Sequence, residues 1–205
     1  VSYDDMQTTE NLGMNYLNCV TLYDHATAPD GTIYFGAQDK GTFSNANNNN
    51  LSQDMIESEN QTTGDGMREL FFNDGKSFMG CLQNGFIICR PDKNGPGSYF
   101  SWALPGDHIP GWITPMENHP DSSAKKCYIA GGNIHGGSGS YLIEMEVDFD
   151  NQATYVDWLP NQFDYDFMAH SNNGIIKAIS SFASNHDRLY DATSDCRFFY
   201  TNDGG

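Results

Sequence analysis

Basic residues are scarce in this chain: 10 Lys and Arg stand against 27 Asp and Glu among 205 residues, a formal net charge of −17. A field of that sign repels nucleic acid and anionic lipid, so neither is expected as a partner. Cysteine is sparse too. Cys19, Cys81, Cys89, Cys127 and Cys196 show no Cys-x-x-Cys spacing, which argues against zinc and thiol-redox motifs. Apolar contexts such as Ile87-Ile88-Cys89 suit reduced, packed thiols, with at least one disulfide as the alternative in an oxidising compartment. His108, His119, His135, His170 and His186 offer no His-x-x-x-His spacing, and no Asp-x-Asp-x-Asp-Gly loop occurs; no cofactor is expected, and only calcium on loop carboxylates stays open. No apolar run approaches the roughly 20 residues of a membrane-spanning helix, and no window sustains a capped helical period. Val1 at the start, without a signal-peptide pattern, and a last motif cut at Gly205 imply a processed or partial piece of a longer protein.

What is present is strand material. Hydrophobic residues make up 38% of the chain and aromatics 13%, enough for a substantial core. Short alternating runs are separated by turn signals: Pro29-Asp30-Gly31, Asp39-Lys40-Gly41, Asn73-Asp74-Gly75 and Asn84-Gly85. Tyr141 to Phe149 is the cleanest run, with Tyr141, Ile143, Met145, Val147 and Phe149 on one face and Glu144, Glu146 and Asp148 on the other. Asn45 to Asn50 has too little apolar content to pack and reads as a surface loop.

A repeat runs through these strands. An aromatic residue is followed two positions later by a small one at Tyr34/Gly36, Phe78/Gly80, Tyr128/Ala130 and Tyr190/Ala192, at intervals of 44, 50 and 62 residues. Units of that size are four-stranded antiparallel sheets set around an axis, with the small residue where strands converge. The units fall at about 1–62, 63–106, 107–160 and 161–205 within one domain. The expected fold is an all-β propeller of about four blades in an incomplete circle.

The end of the chain narrows this reading. Leu189 to Ala192 and Phe198 to Tyr200 read as a hairpin closed by the turn Thr201-Asn202-Asp203-Gly204-Gly205, of the form Thr-x-Asp-x-Gly. Thr201 and Asp203 can hold their own backbone while Gly204 and Gly205 accept φ > 0. With Asn185-His186-Asp187-Arg188-Leu189-Tyr190, with Gly36-Ala37-Gln38-Asp39-Lys40-Gly41-Thr42, and with Gly64-Asp65-Gly66 followed by Gln83-Asn84-Gly85, this turn resembles the Asp-box (BNR-repeat) β-propellers of secreted bacterial glycosidases, sialidases and sortilin-like receptors. Arg90-Pro91-Asp92 departs from the box, and the third unit has none. The resemblance implies a secreted or cell-surface module that binds a glycan or a protein, with further blades or a partner subunit at its open edge. It also implies structural duty for Thr201, Asp203 and Gly205.

Glycoside hydrolysis by paired carboxylates is the enzymatic alternative. Asp164 and Asp166, flanked by Phe163, Tyr165 and Phe167, combine acids with sugar-stacking rings, and Asp65 sits on a Gly-rich turn. For a sialidase the chain offers only Arg68, Arg90, Arg188 and Arg197, without the element that would carry a carboxylate-binding arginine triad. Trp102, Trp112 and Trp158 divide between packing against neighbouring strands and serving as sugar platforms. Trp112, Tyr165 and Phe167 are the candidates for ligand contact.

Overall fold

The computed structural model describes residues 21–39, 41–44, 56–57, 64–95, 98–101, 112–149 and 156–204. Among them are fifteen strands in four antiparallel sheets, each sheet built from strands consecutive in the chain. The first sheet takes β1 (Leu22–Thr27), β2 (Ile33–Ala37), β3 (Gly41–Ser44) and β4 (Ile56–Glu57). The second takes β5 (Gly66–Phe72), β6 (Ser77–Leu82), β7 (Phe86–Arg90) and β8 (Ser98–Ser101). The third takes β9 (Met116–Asn118), β10 (Lys126–Gly131), β11 (Tyr141–Phe149) and β12 (Val156–Gln162), and the fourth β13 (Ile176–Ser181), β14 (Leu189–Thr193) and β15 (Phe198–Thr201).

Turn chemistry explains the hairpins. Gly31, Gly75 and Gly85 take positive φ at the β1–β2, β5–β6 and β6–β7 turns, and Asn73 and Asp74 join Gly75 there. The Asn84-Gly85 signal becomes a three-residue 3-10 turn, Gln83–Gly85, rather than a two-residue loop. The outer strand of the third sheet starts at Val156 and runs to Gln162, later than the 153–159 that the residue pattern suggests and past the unit boundary at 160. It carries Pro160 opposite Met145, a residue tolerated at a sheet edge because it needs no ladder donor. Residues 1–20, Lys40, the Asn-rich stretch 45–50, Trp102, His108 and Gly205 lie outside the described residues, as does the side chain of Trp158.

The sheets pack face to face in chain order, and the first strands of neighbours touch: β1 with β5, β5 with β9, and β9 with β13. The first strands therefore line the common axis, and among the described residues the four sheets form an arc rather than a closed ring. A polar chain fastens them there. Arg68 on β5 reaches Asp24 on β1 (3.7 Å) and Glu117 on β9 (3.6 Å). Its Nε also donates to the Met116 carbonyl (3.0 Å), and Glu117 accepts from the Ser181 amide (3.4 Å) and hydroxyl (3.3 Å) at the end of β13.

Each interface between sheets has its own filling. Between the first and second, Tyr34 stacks on Phe78 at 4.0 Å over Phe71 and Ile88. Between the second and third lies the largest apolar cluster, including Leu70, Met79, Cys81, Cys89, Cys127, Ile143 and Met145. Between the third and fourth, Tyr128, Leu142, Phe167, Ile176, Ile179 and Leu189 meet. The far face of the fourth sheet is open: Phe198 is 68% and Tyr200 65% exposed, beside Tyr190 and Ala192.

The aromatic-small repeat falls on the second strand of every sheet, not on the strand nearest the axis, which corrects the reason expected for the small residue. Nor do its members share one face. Tyr34 and Tyr128 look toward the following sheet, whereas Phe78 looks back at the first. The small residues serve neighbours instead. A Cβ on Gly36 would lie 2.5 Å from the Gly66 carbonyl of the next sheet, and one on Gly80 would strike the carboxylate of Glu69, its partner across the ladder.

Candidate functional site

After β12 the chain alternates aromatic and acidic residues from Phe163 to Phe167, and the alternation puts the rings on one side. Two backbone bonds lay this segment along the start of β11: the Phe163 amide donates to the Leu142 carbonyl (3.1 Å) and the Phe167 amide to the Ser140 carbonyl (2.9 Å). Asp166 clamps it, since its Oδ1 accepts from the amides of Ser140 and Met168, both at 3.0 Å. The Ser140 hydroxyl in turn accepts from the Ile176 amide of β13 (3.0 Å), which ties the aromatic segment to the fourth sheet.

The result is a crevice of about 290 Å³ between the third and fourth sheets. Leu142, Phe163, Tyr165, Phe167 and Phe199 form its apolar walls, Asp191 adds one carboxyl, and Tyr200 and Thr201 complete the lining. Tyr165 meets Phe167 at 5.0 Å and 78°, Phe167 meets Phe199 at 5.1 Å and 83°, and Tyr165 stacks on His170 at 4.5 Å. Such edge-to-face pairs match the positive rim of one ring to the negative face of another.

Asp191 sits mid-strand on β14 between Ile179 and Phe199 and is only 4% exposed. Its Oδ1 has no hydrogen-bond partner. Burial alone pushes its carboxyl up to about 7, because the charged form loses hydration and no cation compensates. The arginines of the fourth sheet's loops have other partners: Arg197 meets Asp195 (3.3 Å) and the His170 carbonyl (3.1 Å), and Arg188 meets Asn202 (3.0 Å). A carboxyl so poised can hold a cation or hand over a proton near neutrality.

The candidates named from sequence scatter around this crevice. Tyr165 and Phe167 line it, and Asp166 positions the segment that carries them. Asp164 is exposed. Asp65 lies in the second unit: its carboxylate accepts from the Asp39 amide (2.6 Å), its own amide donates to Gln83 (2.8 Å), and it is buried in that turn. Trp112, 52% exposed, borders a different cleft of about 460 Å³ near the axis, with Arg68, Met116, Lys177 and Ile179. Thr201 and Asp203 bond to each other through their side chains, the Asp203 amide donates to the Thr201 hydroxyl (3.3 Å), and Gly204 closes the turn at φ 90 onto the Asp187 carbonyl.

Asp191 and Phe199 were missed in the sequence, yet a signal existed: Asp191 shares the phase of Leu189, the buried side of that strand. Glu69 was missed in the same way. It is buried beside Gly80, accepts from the Thr42 hydroxyl (2.8 Å), and burial holds its carboxyl well above the usual range, with the Asp24 charge adding to the rise. Cys81, Cys89 and Cys127 are free and buried as expected, but Cys196 is free and exposed at a turn, not packed. Among the described residues no three His, Cys, Asp or Glu side chains converge as a metal site, and no helix is long and apolar enough to cross a membrane.

No family model matches the chain, and no curated protein matches it. Solved structures do. The β-propeller domain of Cps50 (Swd1) from Myceliophteria thermophila superposes with a TM-score of 0.51 at 10% identity, over 89% of this chain and 54% of that one. Apo AztD from Citrobacter koseri follows at 0.49 and 12% identity, over 85% of this chain and 42% of that one. The chain thus spans about half the length of the structures it matches. Four consecutive antiparallel sheets with their first strands at a common axis, together with the first of these likenesses, establish a β-propeller fold in an incomplete circle.

Proposed function

We propose that the chain is a binding module of a secreted or cell-surface propeller, and that its ligand seats in the aromatic crevice between the third and fourth sheets. The observation that carries this reading is the set of Tyr165, Phe167 and Phe199 rings gathered around one buried carboxyl in a crevice open to solvent. Ligand sites are concave, mostly apolar and supplied with few polar groups, and this one matches that description near the small end of about 300–1,000 Å³. Binding is favoured over glycoside hydrolysis because hydrolysis needs two facing carboxyls. Asp65 and Asp166 are both occupied by backbone amides, and Asp191 is the single acid among the described residues of the crevice lining. Kinship with the Asp-box propellers, supported by the Thr201–Asp203 turn, belongs to the same reading, and the open edge falls at the outward face that exposes Phe198 and Tyr200.

Saturation-transfer NMR with two neutral probes, 3,3-dimethylbutan-1-ol and methyl β-glucoside, tests the site. Transfer to the alcohol, lost in Tyr165→Ala while the thermal transition stays in place, is the expected result. Equal transfer to the glucoside with the same dependence on Tyr165 would make the ligand a sugar. No transfer to either probe from the wild-type chain would end the reading.

A further inference from the structure

The crevice combines features that select one kind of guest. Its walls are apolar, and three of them are the rings of Tyr165, Phe167 and Phe199, whose planes lie at 63° to 83° to one another. The face of an aromatic ring attracts a cation. Asp191 is more than nine-tenths buried, contributes to the wall, and keeps one carboxylate oxygen without a partner, an expensive state for a native protein to retain. Among the described residues no lysine or arginine lines the crevice, and the chain as a whole carries −17. An anionic guest would meet a carboxyl with nothing to offset it. A sugar would bring several hydroxyls to a wall where Asp191 and Thr201 are the main polar groups, and the Thr201 hydroxyl already donates to Asp203. A primary ammonium carries three N–H donors, more than this lining satisfies. Alkyl groups on the nitrogen remove those donors and suit Leu142 and Phe163.

Resting on the binding reading above, we infer that the crevice between the third and fourth sheets binds an alkylated ammonium group, with the rings of Tyr165, Phe167 and Phe199 around the cation and the Asp191 carboxylate as its counter-charge. The guest enters as an ion and leaves as one; no bond forms or breaks. The same group occurs on free quaternary amines and on methylated lysine side chains. The volume of about 290 Å³ accommodates a small head group and leaves any longer tail in solvent.

Calorimetric titration of the wild-type chain with choline and with its neutral isostere 3,3-dimethylbutan-1-ol reads the counter-charge directly. Choline is expected to bind about tenfold or more tighter than the alcohol, the scale of a desolvated cation–π and charge contact. In Asp191→Asn that preference should fall to about twofold or less. A peptide carrying trimethyllysine, titrated beside the same peptide unmodified, separates the sources: tighter binding of the methylated peptide than of choline assigns a protein ligand, and the reverse a free amine. Equal affinity of choline and the alcohol for the wild-type chain would overturn the ammonium inference and leave the crevice as a neutral site. Failure of both probes would remove the inference together with the binding reading beneath it. The wild-type comparison needs no variant, so a destabilised Asp191→Asn does not weaken the test.

Discussion

Where the second and third sheets meet, Met79, Cys81, Cys89, Cys127, Ile143 and Met145 fill the gap with side chains that need little or no hydrogen bonding. Where the third and fourth meet, the filling is Tyr128, Phe167, Phe199 and a lone carboxyl, and a crevice remains. The first interface is packed for stability: flexible thioethers and small thiols adapt to irregular gaps, and burial lifts the Cys81 thiol to about 12 and the Cys127 thiol further, which leaves both chemically quiet. The second gives up some of that stability, since a buried, unpartnered carboxyl is retained at a cost. The same architecture thus holds one interface closed by apolar packing and one that keeps a crevice with a lone carboxyl in its wall.

The largest effect should come from the packed interface. Met145→Ala removes a fully buried side chain from the centre of the methionine and cysteine cluster and should cost about 2–5 kcal/mol by chemical denaturation. A loss under 1 kcal/mol would mean that this interface collapses as readily as the crevice side, and the contrast would fail.

The second effect is a pH dependence that only the crevice side should show. The Asp191 carboxyl titrates near 3.8 when unfolded and about 7 when folded, so the native state holds a proton that the unfolded state has released between these values. Its stabilising share is complete below the unfolded value and is lost as pH rises through about 7, at up to about 1.4 kcal/mol per pH unit, or roughly 4 kcal/mol across the window. Subtracting the stability curve of Asp191→Asn from that of the wild type between pH 4 and 8 should reveal this slope. A flat difference curve would show that Asp191 is solvated in the folded protein.

Enlarging Gly80 tests a third interface. Its Cβ would lie 2.3 Å from Oε2 of Glu69, so Gly80→Val must displace a buried carboxyl and should cost about 1–3 kcal/mol. An unchanged melting curve would mean that Glu69 turns away freely. The smallest effect belongs to the turn after β15. Asp203→Ala removes the carboxylate that accepts from the Thr201 hydroxyl in an exposed turn and should lower stability by about 1 kcal/mol, with choline titration unchanged. Lost titration at full stability would reassign that turn to the site.

Strands were legible in the sequence wherever one face was apolar and the other polar. Tyr141 to Phe149 shows this best, and β7 starts and stops where its residues say. Facing was not legible in the second sheet. Every residue of β6 is buried, so alternation there says nothing about which neighbour Phe78 or Met79 meets. The three-residue β9, pressed between Pro115 and Pro120, is too short to carry a period. Half of the candidate site was visible, because Tyr165 and Phe167 stand in a run of alternating rings and acids. The importance of Asp191 depends on Phe199 beside it on β15 and on what β11 and the 163–167 segment bring to it across the interface. Sequence spacing cannot report that meeting.

The chain-order arrangement of the sheets also bears on how the molecule is assembled in time. Among the described residues every ladder joins strands adjacent in sequence, so each sheet can close before its neighbour exists. Folding is then expected to advance sheet by sheet, with the interfaces annealing afterwards. The Asp24–Arg68–Glu117–Ser181 chain spans all four sheets and can form only when they are all in place. It works as a late checkpoint: pulsed hydrogen exchange during refolding should protect the β10–β11 amides before that of Ser181, and the reverse order would show that the axis forms first and templates the sheets.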